Sequence, residues 1–213
     1  HCSNGRTVYS FCMCPGGTVV AATSEEGQVA TNGMSQYSRN ERNANSGFVV
    51  AIDPARDYPG DPLAGIKLQR HWEERAFVAG GSNYKAPAQR VGDFLAARPS
   101  TTLGAVVPSY KPGVTPTDLA ECLPDFAIAA MREALPVFGR QIKDYDHPDV
   151  VMTGVETRTS SPVRFGRGED GHSLNTIGLF PAGEGAGYAG GILSAAVDGI
   201  KTAEAVARSI TGG

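Results

Sequence analysis

Short β-type runs alternate with polar stretches in the first part of the chain. Residues 8–12 and 18–22 are rich in β-prone side chains, and Pro15-Gly16-Gly17 between them predicts the turn of a β-hairpin. The polar residues 24–46 predict a loop or short strands. Residues 47–52, GFVVAI, form a compact apolar run that predicts a further strand.

Helical spacing of apolar residues dominates the rest of the chain. It predicts helices over residues 61–81 and 125–142, with Pro136 kinking or splitting the second one. Residues 149–156, DVVMTGVE, predict a strand. Residues 175–183, NTIGLFPAG, predict a short buried strand, and apolar residues from Ile192 to Ile210 then follow one helical stripe.

A G-x-G-x-x-G pattern, Gly185, Gly187 and Gly190, lies between this last strand and helix. A dinucleotide fingerprint also needs a second strand after the helix, with an acidic residue about 20 positions on. The helix pattern runs to Ile210 with no such strand after it, so we expect that the motif does not open a Rossmann unit. A glycine loop at a helix N-terminus still suits a flat or anionic ligand. The alternative is a glycine turn that only packs the helix.

Composition narrows the class of protein. Hydrophobic residues make up 41% and charged residues 19% of the 213 positions, which is ordinary for a globular protein with a core. The net charge of −3 and the scattered Lys and Arg argue against a nucleic-acid surface, and the apolar runs are too short for a membrane span. The four Cys are too sparse for a disulfide scaffold, so we expect a cytoplasmic setting. The chain begins without Met, and we expect a piece of a longer protein.

Two pairs of residues are candidates for chemistry. Cys12 and Cys14 form C-x-C, and on a regular strand both side chains would face one side as a redox pair or as two buried small residues. Their spacing matches no zinc pattern, and we expect no metal site. Arg158 and Arg164 bracket TSSP and are suited either to a substrate carboxylate or cofactor phosphate, or to ordinary ion pairs.

Three blocks of the chain resemble a bacterial family of FAD-dependent dehydrogenases of the type with two dinucleotide-binding domains. They are residues 8–46, residues 154–164 (GVETRTSSPVR) and residues 178–206 (GLFPAGEGAGYAGGILSAAVDGIKTAEAV). The resemblance implies an α+β fold in which residues 1–148 form a substrate or cap-type domain with β-hairpins and helices. Residues 149–213 would then return, as strand, glycine loop and helix, to a Rossmann-like FAD-binding domain.

The resemblance also implies the roles of individual residues. Cys12 and Cys14 are candidate catalytic residues, and Arg158 and Arg164 candidate substrate-binding residues. The positions that would meet FAD are Gly154, Val155, Gly183, Glu184, Gly185, Ala186, Gly187, Gly190 and Gly191. The function implied is the C-terminal part of an FAD-dependent oxidoreductase with a small-molecule substrate and an electron acceptor, and a homo-oligomer stays open. The alternative is a non-catalytic ligand-binding or interaction domain with an incomplete flavin site.

Overall fold

A computed structural model describes residues 1–22 and 25–212 of the chain. The structure is mixed α+β, which confirms the predicted class. In chain order its strands and helices are β1 (Val8–Ala21), β2 (Thr31–Ser35), β3 (Asn43–Val50), α1 (Pro54–Asp57), α2 (Ala64–Ala79), β4 (Ala86–Arg90), α3 (Val91–Leu95), β5 (Val114–Pro116), α4 (Asp125–Gln141), β6 (Val151–Thr153) and α5 (Ile192–Thr211).

The chain divides into two compact units, and each is described by itself. Unit 1 comprises residues 1–53 and 69–157, and it contains strands β1 to β6. Unit 2 comprises residues 54–68 and 158–213, with α1, the start of α2 and α5. The domain boundary between residues 148 and 149 stays a prediction, as does the return of the last segment to a Rossmann-like domain.

Strand β1 is one long strand and not the predicted hairpin. Its first part pairs antiparallel with β3, and its end, Gly17–Ala21, pairs with β2. Pro15-Gly16-Gly17 lies where the register with β3 shifts, between Cys14 and Gly17. Pro15 has no N–H to give to a ladder and Gly16 adopts a φ of +54°, so these residues are accommodated as a bulge. The predicted turn at this position is therefore wrong.

The polar stretch before residue 47 contains short strands, which was one of the two predicted alternatives. β2 includes Asn32 and Gly33, and β3 already begins at Asn43. The strand predicted over residues 47–52 is confirmed, but it starts earlier and ends at Val50. The sheet has the order β2-β1-β3.

A second sheet, of order β5-β4-β6, runs through the core of unit 1. β4 is parallel to β5 and antiparallel to β6, and its residues Ala86–Gln89 are buried because β4 is the central strand. Two clusters of buried apolar side chains form the core. The first contains Val29, Ala76, Ala86, Tyr110, Leu119, Cys122 and Val155, and the second contains Val91, Phe94, Ile128, Met131 and Leu135.

Helix α4 confirms the predicted stripe of Ile128, Met131 and Leu135, which packs into the second cluster. The helix runs on through Pro136, so the predicted split is wrong. An internal Pro costs about 3 kcal/mol, whereas each large buried apolar side chain contributes about 1.5–3 kcal/mol. Burial of the whole stripe therefore outweighs the interruption at Pro136.

Unit 2 has a different character. Residues 175–183 form no strand, contrary to prediction, and Ile177 and Leu179 are exposed. A strand needs a neighbouring strand to take up its backbone hydrogen bonds, and no strand of the described residues lies in this unit. Helix α5 is confirmed, but its apolar stripe is largely exposed, with Ile192 at 87% and Ile200 at 63%. None of the helices within residues 1–22 and 25–212 has the length and apolarity that crossing a membrane requires.

Candidate functional site

The glycine loop of unit 2, residues 183–191, is a series of turns that leads into α5. Gly183 and Gly187 adopt φ values of +71° and +81°, which other residues rarely tolerate. The Gly187 N–H donates to the Glu184 carbonyl at 2.9 Å, and the Tyr188 N–H donates to the Gly183 carbonyl at 3.0 Å. The backbone of the loop is therefore fixed by its own hydrogen bonds.

Asp198 on α5 ties the start of this loop to the helix. Its Oδ2 accepts the Gly183 N–H at 2.8 Å and an Arg167 Nη1–H at 3.0 Å, while Arg167 Nη2 donates to the Asp198 Oδ1. The bond from Arg167 and the bond from the Gly183 N–H lower the pKa of Asp198 to about 2. Asp198 is therefore ionised at neutral pH and acts as a fixed anchor for the glycine loop.

At two other positions of the loop the backbone conformation does not require glycine. Gly185 and Gly190 lie outside the positive-φ region, and a Cβ built on either residue would meet no atom of residues 1–22 and 25–212 within 4 Å. Alanine would thus fit at both positions in this chain. The two glycines leave open space against the backbone, which allows a ligand or another part of a protein to approach closely.

The loop borders Val163 and Arg164. The Phe165 N–H donates to the Ala186 carbonyl at 3.2 Å, and a Cβ on Gly187 would lie 2.8 Å from the Val163 carbonyl oxygen. The Arg164 guanidinium lies over the Tyr188 ring, 4.3 Å from its centroid. The structure thus brings Arg164 to the predicted cofactor loop. Arg158 is exposed at the start of the same connection.

The N-terminus of α5 adjoins the loop at Gly191. No side chain of the described residues caps this end, and the Ser194 hydroxyl turns back to donate to the Gly191 carbonyl at 2.9 Å. Ile192 and Leu193 in the first turn are 87% and 82% exposed. The Glu184 carboxylate makes no hydrogen bond within residues 1–22 and 25–212. The start of α5 thus presents uncapped N–H groups beside an apolar surface.

Gly154 and Val155, predicted to meet the cofactor, lie inside unit 1. The Gly154 N–H donates to the Pro87 carbonyl at 2.9 Å, and the Val155 carbonyl accepts the Thr31 N–H at 2.8 Å. Both residues are buried, and Val155 belongs to the first core cluster. In this chain they therefore join β2 to the second sheet.

Glu156, next in the chain, is a candidate that the sequence did not single out. Its carboxylate lies against β1 and β3, because a Cβ on Gly47 would be 3.1 Å from Glu156 Oε2 and 2.9 Å from the Phe11 ring. Burial raises its pKa above the usual range. No hydrogen bond or ion pair to this carboxylate occurs in the described residues. A half-buried carboxyl group with a raised pKa keeps its proton to a higher pH than an exposed carboxyl group does. The sequence signal was an acidic residue at the end of the predicted strand 149–156.

Cys12 and Cys14 have different surroundings. Cys12 is exposed with a φ of +51°, whereas Cys14 is buried and its thiol donates to the Cys12 carbonyl at 3.2 Å. The bulge between Phe11 and Cys14 interrupts the strand alternation on which the same-face expectation rested. Among the residues with assigned structure, no cluster of three or more His, Cys, Asp or Glu is arranged to hold a metal ion.

Comparison with known proteins adds two findings. Residues 1–159 match the family model described as "FAD-dependent protein, C-terminal domain-like". A protein of Clostridium beijerinckii described as uncharacterized is 56% identical over 200 residues, which cover 93% of this chain and 37% of that protein. The chain thus spans little more than a third of the length of this curated relative.

Proposed function

The chain belongs to the family of FAD-dependent protein C-terminal domains, and from this premise we propose that it is the C-terminal part of an FAD-dependent oxidoreductase. In this proposal residues 1–148 form the substrate domain, and residues 149–213 return to the FAD-binding domain. The match of residues 1–159 to the family model is the observation that carries the proposal.

The glycine loop before α5 fits a role in holding FAD. Gly185 and Gly190 leave room against the backbone that no atom of residues 1–22 and 25–212 fills, and no side chain of these residues caps the first N–H groups of the helix that follows Gly191. Together such N–H groups favour one negatively charged group by about 0.3–1 kcal/mol. We place the cofactor contacts of unit 2 at Gly183, Glu184, Gly185, Ala186, Gly187, Gly190 and Gly191, whereas a role for Gly154 and Val155 stays a prediction from the sequence.

A bound flavin supplies hydride and electron transfer, which amino acid side chains do not. The residues of this chain have the complementary tasks. Glu184 accepts hydrogen bonds from cofactor hydroxyls, because its carboxylate has no partner among the described residues. The Asp198 anchor keeps the loop backbone in one conformation, so that its N–H groups are already oriented before the cofactor arrives.

The same proposal gives a substrate-binding role to two arginines of unit 2 and, separately, a catalytic role to two cysteines of unit 1. Arg164 and Arg158 bind an anionic group of the substrate or cofactor, and Arg164 is already oriented by its stacking on Tyr188. Cys12 and Cys14 supply a thiol to the reaction, with exposed Cys12 as the member that a reactant reaches first.

The test is the absorbance spectrum of the complete protein, purified without added flavin, with the Clostridium beijerinckii relative as a second sample. We expect flavin absorbance and release of FAD on heat denaturation. Anaerobic addition of candidate electron donors should then bleach the flavin bands. A folded, colourless complete protein would contradict the proposal and favour the alternative, a non-catalytic ligand-binding domain.

A further inference from the structure

A cavity of about 530 Å³ lies within unit 1, beside β3, α4 and β6. Its volume is in the range of about 300–1,000 Å³ that is usual for small-molecule sites. Apolar side chains form much of its wall, among them Phe48, Leu135, Ile142 and Met152. The cavity is therefore suited to an organic ligand with an apolar body.

The cavity follows one edge of strand β6. Residues 150–153 all line it. Successive side chains of a strand point to opposite faces of the sheet, so a cavity over one face would meet only every second residue. Lining by four consecutive residues therefore places the cavity along an edge of β6. The sheet has the order β5-β4-β6, so β4 occupies one edge and the cavity lies along the other.

The hydrogen bonds between β4 and β6 show which backbone groups point to this free edge. The Val91 N–H donates to the Val150 carbonyl at 2.8 Å. Four residues further on, the Gly154 N–H donates to the Pro87 carbonyl at 2.9 Å. In an antiparallel pair, residues that bond to the partner strand alternate with residues whose N–H and C=O point away from it. The even-numbered residues of this segment therefore face β4, and Val151 directs its N–H and C=O to the free edge.

Both backbone groups of Val151 are left unpaired there. Val151 lies opposite Arg90, whose own N–H turns away from β6 and donates to Ser100 Oγ at 2.9 Å. Neither the N–H nor the C=O of Val151 has a hydrogen-bond partner in the part of the chain that the structure describes. An unpaired backbone group that is shielded from water costs free energy, so a ligand that pairs with both groups gains affinity.

Strand β3 borders the same cavity with its own free edge. Residues 42–46, at the start of β3, line the cavity in succession. By the same alternation the cavity runs along an edge of β3, and β1 occupies the other edge. The polar surface of this cavity is therefore largely backbone from two strand edges.

Three polar side chains of the wall are engaged by other residues. The Tyr145 hydroxyl donates to Ser10 Oγ at 2.7 Å, and Asn43 donates its Nδ2–H to the Val107 carbonyl at 2.8 Å. Ser109 Oγ accepts a backbone N–H at 2.8 Å. The charged side chains that line the cavity are exposed and therefore screened by salt: Arg42, Lys143 and Asp144. Recognition of a ligand thus depends on the strand edge more than on a charged side chain.

A cis-amide, such as the one in a lactam ring, carries its N–H and C=O side by side. It can therefore exchange two hydrogen bonds with one residue of a free strand edge, as two residues of an antiparallel pair do. We propose that this cavity binds a small, planar, uncharged molecule of the lactam type, whose cis-amide pairs with the N–H and C=O of Val151 and whose apolar body fills the rest of the cavity. The proposal does not depend on the flavin, since every residue that carries it belongs to unit 1.

Two probes of the same shape test the pairing. 3,4-Dihydroquinolin-2-one is a lactam with an N–H and a C=O, and in dihydrocoumarin a ring oxygen replaces the N–H. Their affinities for the 213-residue chain are measured by ligand-observed NMR without flavin. We expect the lactam to bind about tenfold more tightly, because a lost neutral hydrogen bond costs up to about tenfold. Equal affinities, or no binding of the lactam, overturn the proposal.

Val151→Pro removes the backbone N–H that the lactam carbonyl accepts, and Val151→Ala is the matched control that keeps it. Pro is tolerated at the first residue of an edge strand, which is the position of Val151 in β6, so both variants should fold. The Pro variant should bind the lactam about tenfold more weakly than the Ala variant does. Equal lactam affinities of the two variants contradict the assignment to Val151.

A second pair of variants decides if the Pro variant does not fold. Val106 lines the cavity, and Val106→Trp should fill part of it and abolish lactam binding. Its neighbour Val107 is 54% exposed and does not line the cavity, so Val107→Trp should bind the lactam like the wild type. Lactam binding that persists unchanged in folded Val106→Trp overturns the proposal.

Discussion

Arg167 and Asp198 form a two-pronged ion pair in unit 2, with both guanidinium Nη atoms on the two carboxylate oxygens. The side chains are only 18% and 12% exposed. The pair joins an irregular connection to helix α5, and the same carboxylate holds the first N–H of the glycine loop. The conformation of the candidate cofactor loop therefore depends on a contact between residues that lie 31 positions apart.

Asp198→Asn should destabilise the chain. The amide still accepts a hydrogen bond from Gly183, but the Arg167 guanidinium loses its counter-ion while it stays largely buried. We expect a loss of about 2 kcal/mol in the free energy of unfolding, measured by urea denaturation. Asp170→Asn is the control: Asp170 pairs with His172 at an exposed position, and its replacement should change little. Equal effects of the two substitutions would contradict the anchoring role of Asp198.

The same ion pair predicts instability in acid. The pKa of Asp198 is about 2 in the folded protein, below its ordinary value of 3.8. The stabilisation is therefore complete above about pH 4 and is lost as the pH falls from about 4 towards 2. The difference in unfolding free energy between wild type and Asp198→Asn should be largest at about pH 5 and smaller at about pH 3. A constant difference would show that the charge of Asp198 contributes nothing.

Local signals explain which parts of the fold were predicted. The Ile192–Ile210 stripe predicts α5 because a helix satisfies its own backbone hydrogen bonds, and only its length and phase matter. The composition of Pro15-Gly16-Gly17 suits both a turn and a bulge. Pairing of β1 with β3, a strand more than 20 residues away, makes these residues a bulge. Likewise, residues 175–183 carry the composition of a strand but have no partner strand within unit 2.

Some residues of interest could also be predicted from local sequence signals, and others could not. Gly185 and Gly190 were found because glycine spacing is visible in the sequence. Asn45 was not selected, since Asn is usually a turn former, and only its place in β3 shows that its amide is buried and finds no hydrogen-bond partner within the described residues. The available signal was the alternation of residues along β3. One face carries Asn43, Asn45 and Gly47, and the other carries Ala44, Ser46 and Phe48.

Gly185→Ala separates a cofactor role from a folding role. A Cβ at Gly185 meets no atom of the described part of the chain within 4 Å and its φ is not positive, so Ala should leave the stability of this chain unchanged or raise it by up to about 1 kcal/mol. In the complete protein the same change should lower the FAD content, measured as flavin absorbance per protein. Gly187→Ala is the contrast: its φ of +81° and the nearby Val163 carbonyl predict a less stable chain. Full FAD retention in the Gly185→Ala protein would contradict a close approach of the cofactor to this glycine.

Glu156→Gln should stabilise the protein at neutral pH. Burial raises the pKa of Glu156, so the folded state binds the proton more strongly than the unfolded state. This contribution is fully present below the unfolded pKa of about 4.3 and is lost as the pH rises through the higher folded value, so that ionised Glu156 is unfavourable at neutral pH. Gln has the same shape and no charge, and its advantage in urea denaturation should be clear at neutral pH and small in acid. Exposed Glu169→Gln is the control and should show no such pH-dependent gain.

If the complete protein turns over a substrate and Glu156 exchanges the proton, the Gln variant loses turnover while it gains stability, a combination that a purely structural carboxylate does not produce. A Glu156→Gln chain less stable than the wild type at neutral pH would show that the carboxylate is satisfied in the folded state.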